Sequence, residues 1–244
     1  MLSGQSVRSV SAELHIPLST AYYHARSVCM HHAVLDLQAL KEKEQGYLLG
    51  IYVGDGSLIR HKVRREYLLK VAFDISNDSD IVECVTSIFH KAGKSVTKTN
   101  WRSVTFLRIW SKPLYDFMRD HVLSRSIPTS NRRLKILRHT EKWSHEFAIG
   151  FLGGLIDSDG HVARSKSGGH YGASITTSSN SLRDQLQGLC NSLGLTTTIR
   201  MDKRGAPKVR PRYSIYITCD SMRKICNEIL SAKHQRFHGG PGRT

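Results

Sequence analysis

The sequence predicts an α+β fold of two pseudo-symmetric αββαββα repeats, with a small helical segment ahead of them. Three observations carry that expectation. One short apolar stretch occurs twice, as Gly46-Tyr47-Leu48-Leu49-Gly50-Ile51-Tyr52-Val53-Gly54-Asp55-Gly56 and as Gly150-Phe151-Leu152-Gly153-Gly154-Leu155-Ile156-Asp157-Ser158-Asp159-Gly160. After each copy the same succession of period-2 and period-3.6 patterns follows. Lysine and arginine outnumber aspartate and glutamate by 36 to 20, a formal net charge of +16 over 244 residues.

The repeated stretch reads as a helix with a small-residue face. Gly46, Gly50 and Gly54 lie at i, i+4 and i+8, as do Gly150, Gly154 and Ser158, so each set lines one side. Glycine inside a helix costs about 1 kcal/mol relative to alanine. Close backbone approach of one copy to the other would account for it, with Leu and Ile on the flanks facing two separate cores. Gly56 and Gly160 are ordinary helix stops. Two such helices packed side by side in the same direction bring Asp55 and Asp159 together at their carboxyl ends. Helix dipoles and mutual repulsion disfavour anions there. A divalent cation removes both penalties, and carboxylate oxygens are ligands that Mg²⁺ prefers. A buried helix whose last acid sits in a turn is an equal account of either copy alone, but not of an acid retained twice in register.

Residues 1–30 read as a helix-turn-helix. Ser6–His15 places Val7, Val10 and Leu14 on one face, Ile16-Pro17 breaks it, and Leu18–Val28 turns Ala21, His24 and Ala25 inward. The segment resembles the helix-turn-helix of resolvases and small regulators, whose second helix enters the major groove. Leu18, Ser19, Tyr22, Tyr23 and Arg26 would then face DNA. Two amphipathic helices docked on the next domain are the alternative. Residues 31–44 form a charged helical connector.

The first repeat, 45–122, continues with strands over 56–63 and 67–75 around a basic turn at Arg64-Arg65. A helix Asp78–Ala92 follows, with Ile81, Val85, Ile88 and Phe89 on its apolar face, then strands over 94–101 and 104–110 and a helix Lys112–Val122. Residues 123–143 hold many cations (Arg125, Arg132, Arg133, Lys135, Arg138) without apolar periodicity, and are expected as a linker along a phosphate backbone. The second repeat, 144–230, runs through a helix to Ser158, strands over 160–166 and 172–177, a helix Ser181–Leu193, strands over 195–202 and 212–218, and a helix Ser221–Leu230. The tail 231–244 is basic and glycine-rich.

Cations are spread along the strands and hairpins: Arg60, Lys62, Arg64, Lys70, Lys98, Arg102 and Arg108 in the first repeat. Arg164, Lys166, Arg200, Lys203, Arg204, Lys208, Arg210 and Arg212 lie in the second. One face of each sheet must cover helices, so the polar positions are expected to face outward together. Two such faces joined at the central helices make a basic saddle suited to duplex DNA, with strand side chains on base edges and flanking cations on phosphates. The charge balance favours a polyanionic partner. A membrane is disfavoured, because no apolar run approaches the 18 or so residues a spanning helix needs. Five cysteines, an odd number without CxxC spacing, indicate neither a disulfide framework nor a zinc site. The expected compartment is intracellular, cytoplasmic or nucleoid, with an organelle left open.

Leu152–Gly160 reads LGGLIDSDG and resembles the LAGLIDADG signature of homing endonucleases; the first copy, LLGIYVGDG, is more divergent, with Val53 where the signature has its first Asp. The resemblance covers about residues 45–230. It implies a single-chain, pseudo-twofold, monomeric enzyme of the intron- or intein-encoded kind that cuts both strands of a long DNA site by two-metal hydrolysis. It also implies that Asp55 and Asp159 bind Mg²⁺ with the carbonyls of Gly54 and Ser158, Mn²⁺ substituting and Ca²⁺ binding without supporting cleavage. The family adds a basic residue near each scissile phosphate: Lys135 is the candidate, Lys233 holds a roughly equivalent place, and Lys70 and Lys98 are alternatives. Two other readings stay open: a maturase that binds intron RNA, and a non-catalytic regulator that uses the helix-turn-helix.

Overall fold

The computed structural model describes residues 6–22, 35–61, 63, 66–127, 130–164, 171–202 and 211–233, with backbone alone at 125–127, 130–133, 164, 171 and 202. The N-terminal segment contributes α1 (Val7–Glu13), capped by the Ser6 hydroxyl, which accepts the Ser9 N–H at 3.1 Å. His15, at φ 51°, turns the chain, and the Ile16 N–H bonds back to the Ser11 carbonyl. The chain is helical again over 18–22. Leu14, expected on the packed face, is 60% exposed, and Ser11 is buried in its place with its hydroxyl donating to the Ile16 carbonyl. Leu18 and Tyr22 are exposed, as expected, while Ala21 is buried. Tyr23, His24, Arg26, His31 and His32 lie outside the described residues. Of the connector, residues 31–34 lie outside the described residues, Leu37–Ala39 form a short 3-10 turn, and residues 42–44 already belong to the next helix.

The first repeat comprises α2 (Glu42–Asp55), β1 (Gly56–His61), β2 (Glu66–Asp74), α3 (Ser79–Lys91), β3 (Thr97–Trp101), β4 (Val104–Trp110) and α4 (Lys112–His121). The second comprises α5 (His145–Asp159), β7 (Gly160–Arg164), β8 (Tyr171–Thr177), α6 (Asn180–Ser192), β9 (Thr197–Asp202), β10 (Arg212–Ile217) and α7 (Cys219–Ile225). Each sheet is antiparallel and four-stranded, ordered β1-β2-β4-β3 and β7-β8-β10-β9. Ser111, Ser144, Ser179 and Thr218 cap α4, α5, α6 and α7 by accepting a backbone N–H three residues on.

The segment expected as a linker is a hairpin instead, β5 (Val122–Ile127) against β6 (Ser130–Leu137). Apolar alternation fails to mark it: among its described side chains only those at its base, Val122 and Leu137, are buried. Its order comes from the backbone ladder and from Gln185 of α6, whose amide accepts the Leu137 N–H at 2.9 Å and donates to the Leu137 carbonyl at 2.7 Å.

The α2 and α5 helices are buried nearly all round; every residue from Phe147 to Asp157 is buried. They run parallel in backbone contact. A Cβ on Gly46 would lie 2.1 Å from the Phe147 carbonyl oxygen, one on Gly50 2.2 Å from that of Phe151, and one on Gly54 2.0 Å from the Ser158 hydroxyl. From the other side, a Cβ on Gly150 would meet the Lys43 carbonyl at 2.0 Å and one on Gly154 the Tyr47 carbonyl at 2.1 Å. The amino ends are joined by Lys43–Glu146 at 3.1 Å and by the Ser144 hydroxyl donating to Glu42. Each helix packs on the sheet of its own repeat, α2 on β1 and β2 and α5 on β7 and β8, and through the helix pair the two cores join into one continuous cluster of buried side chains.

This contact is backbone against backbone, so nothing flexible can yield. Gly50→Ala should destabilise the fold by about 3 kcal/mol, read as a lower urea midpoint. Gly188→Ala, on α6 with open space at its Cβ, should raise stability by about 0.5–1 kcal/mol.

Candidate active site at the paired helix ends

Parallel packing sends both carboxyl ends to one place, and each helix ends on its acid, Asp55 or Asp159, before the chain enters β1 or β7. Both side chains are accessible at the surface, yet protein packs around their other sides and strips them of water. Burial, then repulsion from Asp159, pushes Asp55 up to about 6, against the pull of Lys135 and Lys233. Burial raises Asp159 as well, opposed by Lys135, Lys233 and Arg212.

Each helix end also holds one lysine. The Lys135 ammonium, from β6, donates to the carbonyls of Tyr52, Val53 (2.9 Å), Gly54 (3.4 Å) and Gly56 (2.8 Å), and sits 4.7 Å from the centre of the Tyr52 ring. The Lys233 ammonium donates to the carbonyls of Ile156 (3.4 Å), Ser158 (3.3 Å) and Gly160 (3.0 Å). In the repeat register these are the same three positions, 52/156, 54/158 and 56/160. A cation at a helix carboxyl end satisfies the orphan carbonyls and offsets the dipole. Burial pushes Lys135 down to about 8, while Asp159 and Asp55 pull it up.

Lys135 therefore lies on a strand of the hairpin and not on a linker. It is built into the end of α2, and Lys233 matches it at α5. The carbonyls of Gly54 and Ser158, expected as metal ligands, are each contacted by a lysine at the long limit of a hydrogen bond, which leaves each oxygen a second lone pair. Among the described residues no group of three or more His, Cys, Asp or Glu is gathered for a metal. Two carboxylates at neighbouring helix ends still fit Mg²⁺, which commonly takes one or two carboxylates and completes its shell with water and substrate phosphate.

The ladders assign the basic residues to faces. In the first sheet Leu69, Val71, Phe73, Leu107 and Ile109 are buried, so Lys70 and Arg108, paired across β2 and β4, lie on the opposite, uncovered face. The Lys70 ammonium is 3.8 Å above the Phe106 ring. Arg60 and Lys98 depart from the expectation. They pair with Tyr67 and Leu107, on the helix-covered side, where Arg60 stacks at 5.7 Å over Tyr67. Both stay exposed because they sit at the sheet's rim; strand alternation decides the face, and charge alone did not reveal it. Arg102 occupies the β3–β4 turn at φ 54°, 4.6 Å over Trp101. In the second sheet Arg200 and Arg212 lie on the uncovered face, Arg200 5.2 Å over Tyr216. Arg164 pairs with Tyr171 in the ladder. Lys62, Arg64, Arg65, Lys166, Lys203, Arg204, Lys208 and Arg210 lie outside the described residues.

Parallel helices ending in paired aspartates, each followed by an antiparallel sheet, define the class. Residues 146–230 match the family model described as a LAGLIDADG-like domain. The homing endonuclease I-DmoI in complex with DNA and Ca has the same fold, with a TM-score of 0.55 and 17% identity, over 82% of this chain and 98% of that one. The homing endonuclease I-WcaI bound to its DNA recognition sequence gives 0.55 and 14% over 96% and 95%. A curated relative, the ATP-dependent DNA helicase Hel308 of Thermococcus kodakarensis, is 30% identical over 193 residues; the match takes in 76% of this chain but only 16% of the helicase. The chain is thus similar, in motif and in fold, to single-chain LAGLIDADG homing endonucleases. No helix among the described residues is long and apolar enough to cross a membrane.

Because Asp55 holds a proton up to about pH 6, protons and a divalent cation compete for it. Ca²⁺ affinity, measured by calorimetry, should weaken as pH falls through about 6. Without metal the folded state binds this proton more tightly than the unfolded state. Asp55 therefore lowers stability as pH rises from the ordinary carboxylate range to about 6, a decline that Asp55→Asn should abolish.

Proposed function

We propose that the chain is a site-specific homing endonuclease making a Mg²⁺-dependent double-strand break in a long DNA target. The observation that carries this reading is the adjoining pair of accessible carboxylates, each with one ammonium at its own helix end. Asp55 and Asp159 would hold the cations. Divalent cations there supply Lewis-acid stabilisation of the phosphodiester and a water of lowered pKa. Lys135 and Lys233 neutralise the helix ends and keep positive charge beside the carboxylates, which favours a phosphate there. Asp55 and Asp159 serve one strand each, as two acids on a pseudo-twofold axis suggest.

The uncovered sheet faces supply the binding surface in this reading. Lys70, Arg108, Arg200 and Arg212 stand among Phe106, Tyr216 and short hydroxyl side chains, a composition suited to phosphates and base edges. The N-terminal helical segment adds contacts outside the core.

Purified protein incubated with a large randomised duplex library, in Mg²⁺ and in Ca²⁺, tests the reading. A discrete double-strand break within one long motif, in Mg²⁺ alone, is expected. Enrichment by binding without cutting in either metal would overturn the nuclease and favour a non-catalytic regulator. Asp159→Asn should abolish double-strand cleavage while leaving duplex affinity within about twofold, since the acid contributes no phosphate contact of its own. Deleting residues 1–30 should weaken affinity about tenfold with cleavage retained; an unchanged footprint would make that segment scaffold.

A further inference from the structure

Asp157 is the one aspartate of the central helices that does not face their carboxyl ends. It is 1% exposed, and its oxygens accept from four donors. These are the Tyr47 and Ser231 hydroxyls, both at 2.7 Å, and the backbone N–H groups of Ala232 at 2.7 Å and Lys233 at 2.9 Å. Tyr47, fully buried, comes from α2 of the first repeat, and the other three donors belong to the segment after α7. At the corresponding place in the first copy stands Val53, buried and unable to accept a hydrogen bond.

The two lysines are therefore held by different chemistry. Lys135 lies inside a strand, opposite Ser124 in the β5–β6 ladder, two residues from the Gln185 clamp on Leu137. A strand register fixes where its side chain leaves the backbone. Lys233 lies in no strand. Its own N–H, and that of the residue before it, end on the Asp157 carboxylate.

We propose that Asp157, oriented by Tyr47, is a positioning residue that sets Lys233 beside Asp159. Hydrolysis of the strand served by Asp159 then depends on a buried carboxylate tether, where the Asp55 end relies on a strand register and the Gln185 amide. The inference rests on the nuclease reading above. Asn at 157 keeps the shape but offers one acceptor oxygen where two are used, so the 231–233 backbone loses at least one partner. Loosening that segment misplaces the Lys233 ammonium and leaves Lys135 where it is.

The test uses Asp157→Asn in the full chain, with a supercoiled plasmid carrying the site recovered by the cleavage selection and each strand labelled. Hydrogen exchange is followed in peptides covering 229–236 and 130–137. Exchange should rise at 231–233 and stay unchanged in the hairpin. One strand, the same one slowed by Lys233→Met and not by Lys135→Met, should be cut roughly 10- to 100-fold more slowly, so nicked circles accumulate. Tyr47→Phe, which removes one of the four donors, should act in the same direction more weakly, and it serves if Asp157→Asn fails to fold. Equal slowing of both strands, or unchanged exchange at 231–233, overturns the proposal. A wild-type protein that cuts neither strand overturns the nuclease reading, and the strand asymmetry with it, whatever the exchange shows.

Discussion

The contact between α2 and α5, backbone on backbone, is the constraint on which everything else depends. Gly46, Gly50, Gly150 and Gly154 leave no room for a Cβ, so the helices have one way to lie together. Because they lie parallel, two carboxyl ends and two aspartates arrive at one place. That arrangement is electrostatically unfavourable by itself. The structure answers with one ammonium under each end, yet burial, more than repulsion, still holds the Asp55 carboxyl raised. What remains is a pair of partly desolvated carboxylates open to solvent, ligands of the kind a divalent cation takes.

Each repeat also reaches into the other. Gln185 of the second repeat holds the hairpin that brings Lys135 to the first helix. Tyr47 of the first repeat bonds the carboxylate that fixes the segment bearing Lys233. Rigid placement of a site depends on such supporting bonds as much as on the groups that do chemistry. Here the supports cross the pseudo-twofold axis, so the two halves cannot shift relative to one another without disturbing both lysines.

Much of this was legible in the sequence. The duplicated stretch, its glycine spacing and the alternating strands gave both repeats in order, with ends shifted by a few residues. Asp55 and Asp159 followed from the glycine face, because parallel packing leaves their side chains nowhere else to go. The hairpin at 122–137 carries no apolar alternation, and its described side chains bury little beyond Val122 and Leu137. Arg60 and Lys98 were placed on the wrong face because a basic residue at a rim looks the same in sequence as one on an open face. Asp157 matches a letter of the signature, and no residue near it in sequence marks what it bonds. Its partners Ser231, Ala232 and Lys233 lie far along the chain, and only folding brings them together.

The hairpin changes where the first repeat ends. Lys135 belongs to the helix that finishes at Asp55, so the repeat closes at Leu137 and not at the end of α4. Lys233 likewise closes the second. Each unit is then a full set in chain order: acid at a helix end, sheet, trailing lysine. The true joint is the short stretch from Arg138 to Trp143. A chain divided there would yield two fragments, each with its own acid and its own ammonium. A division at residue 123 would leave the first fragment without its lysine, and the second would carry a hairpin whose partner helix is gone.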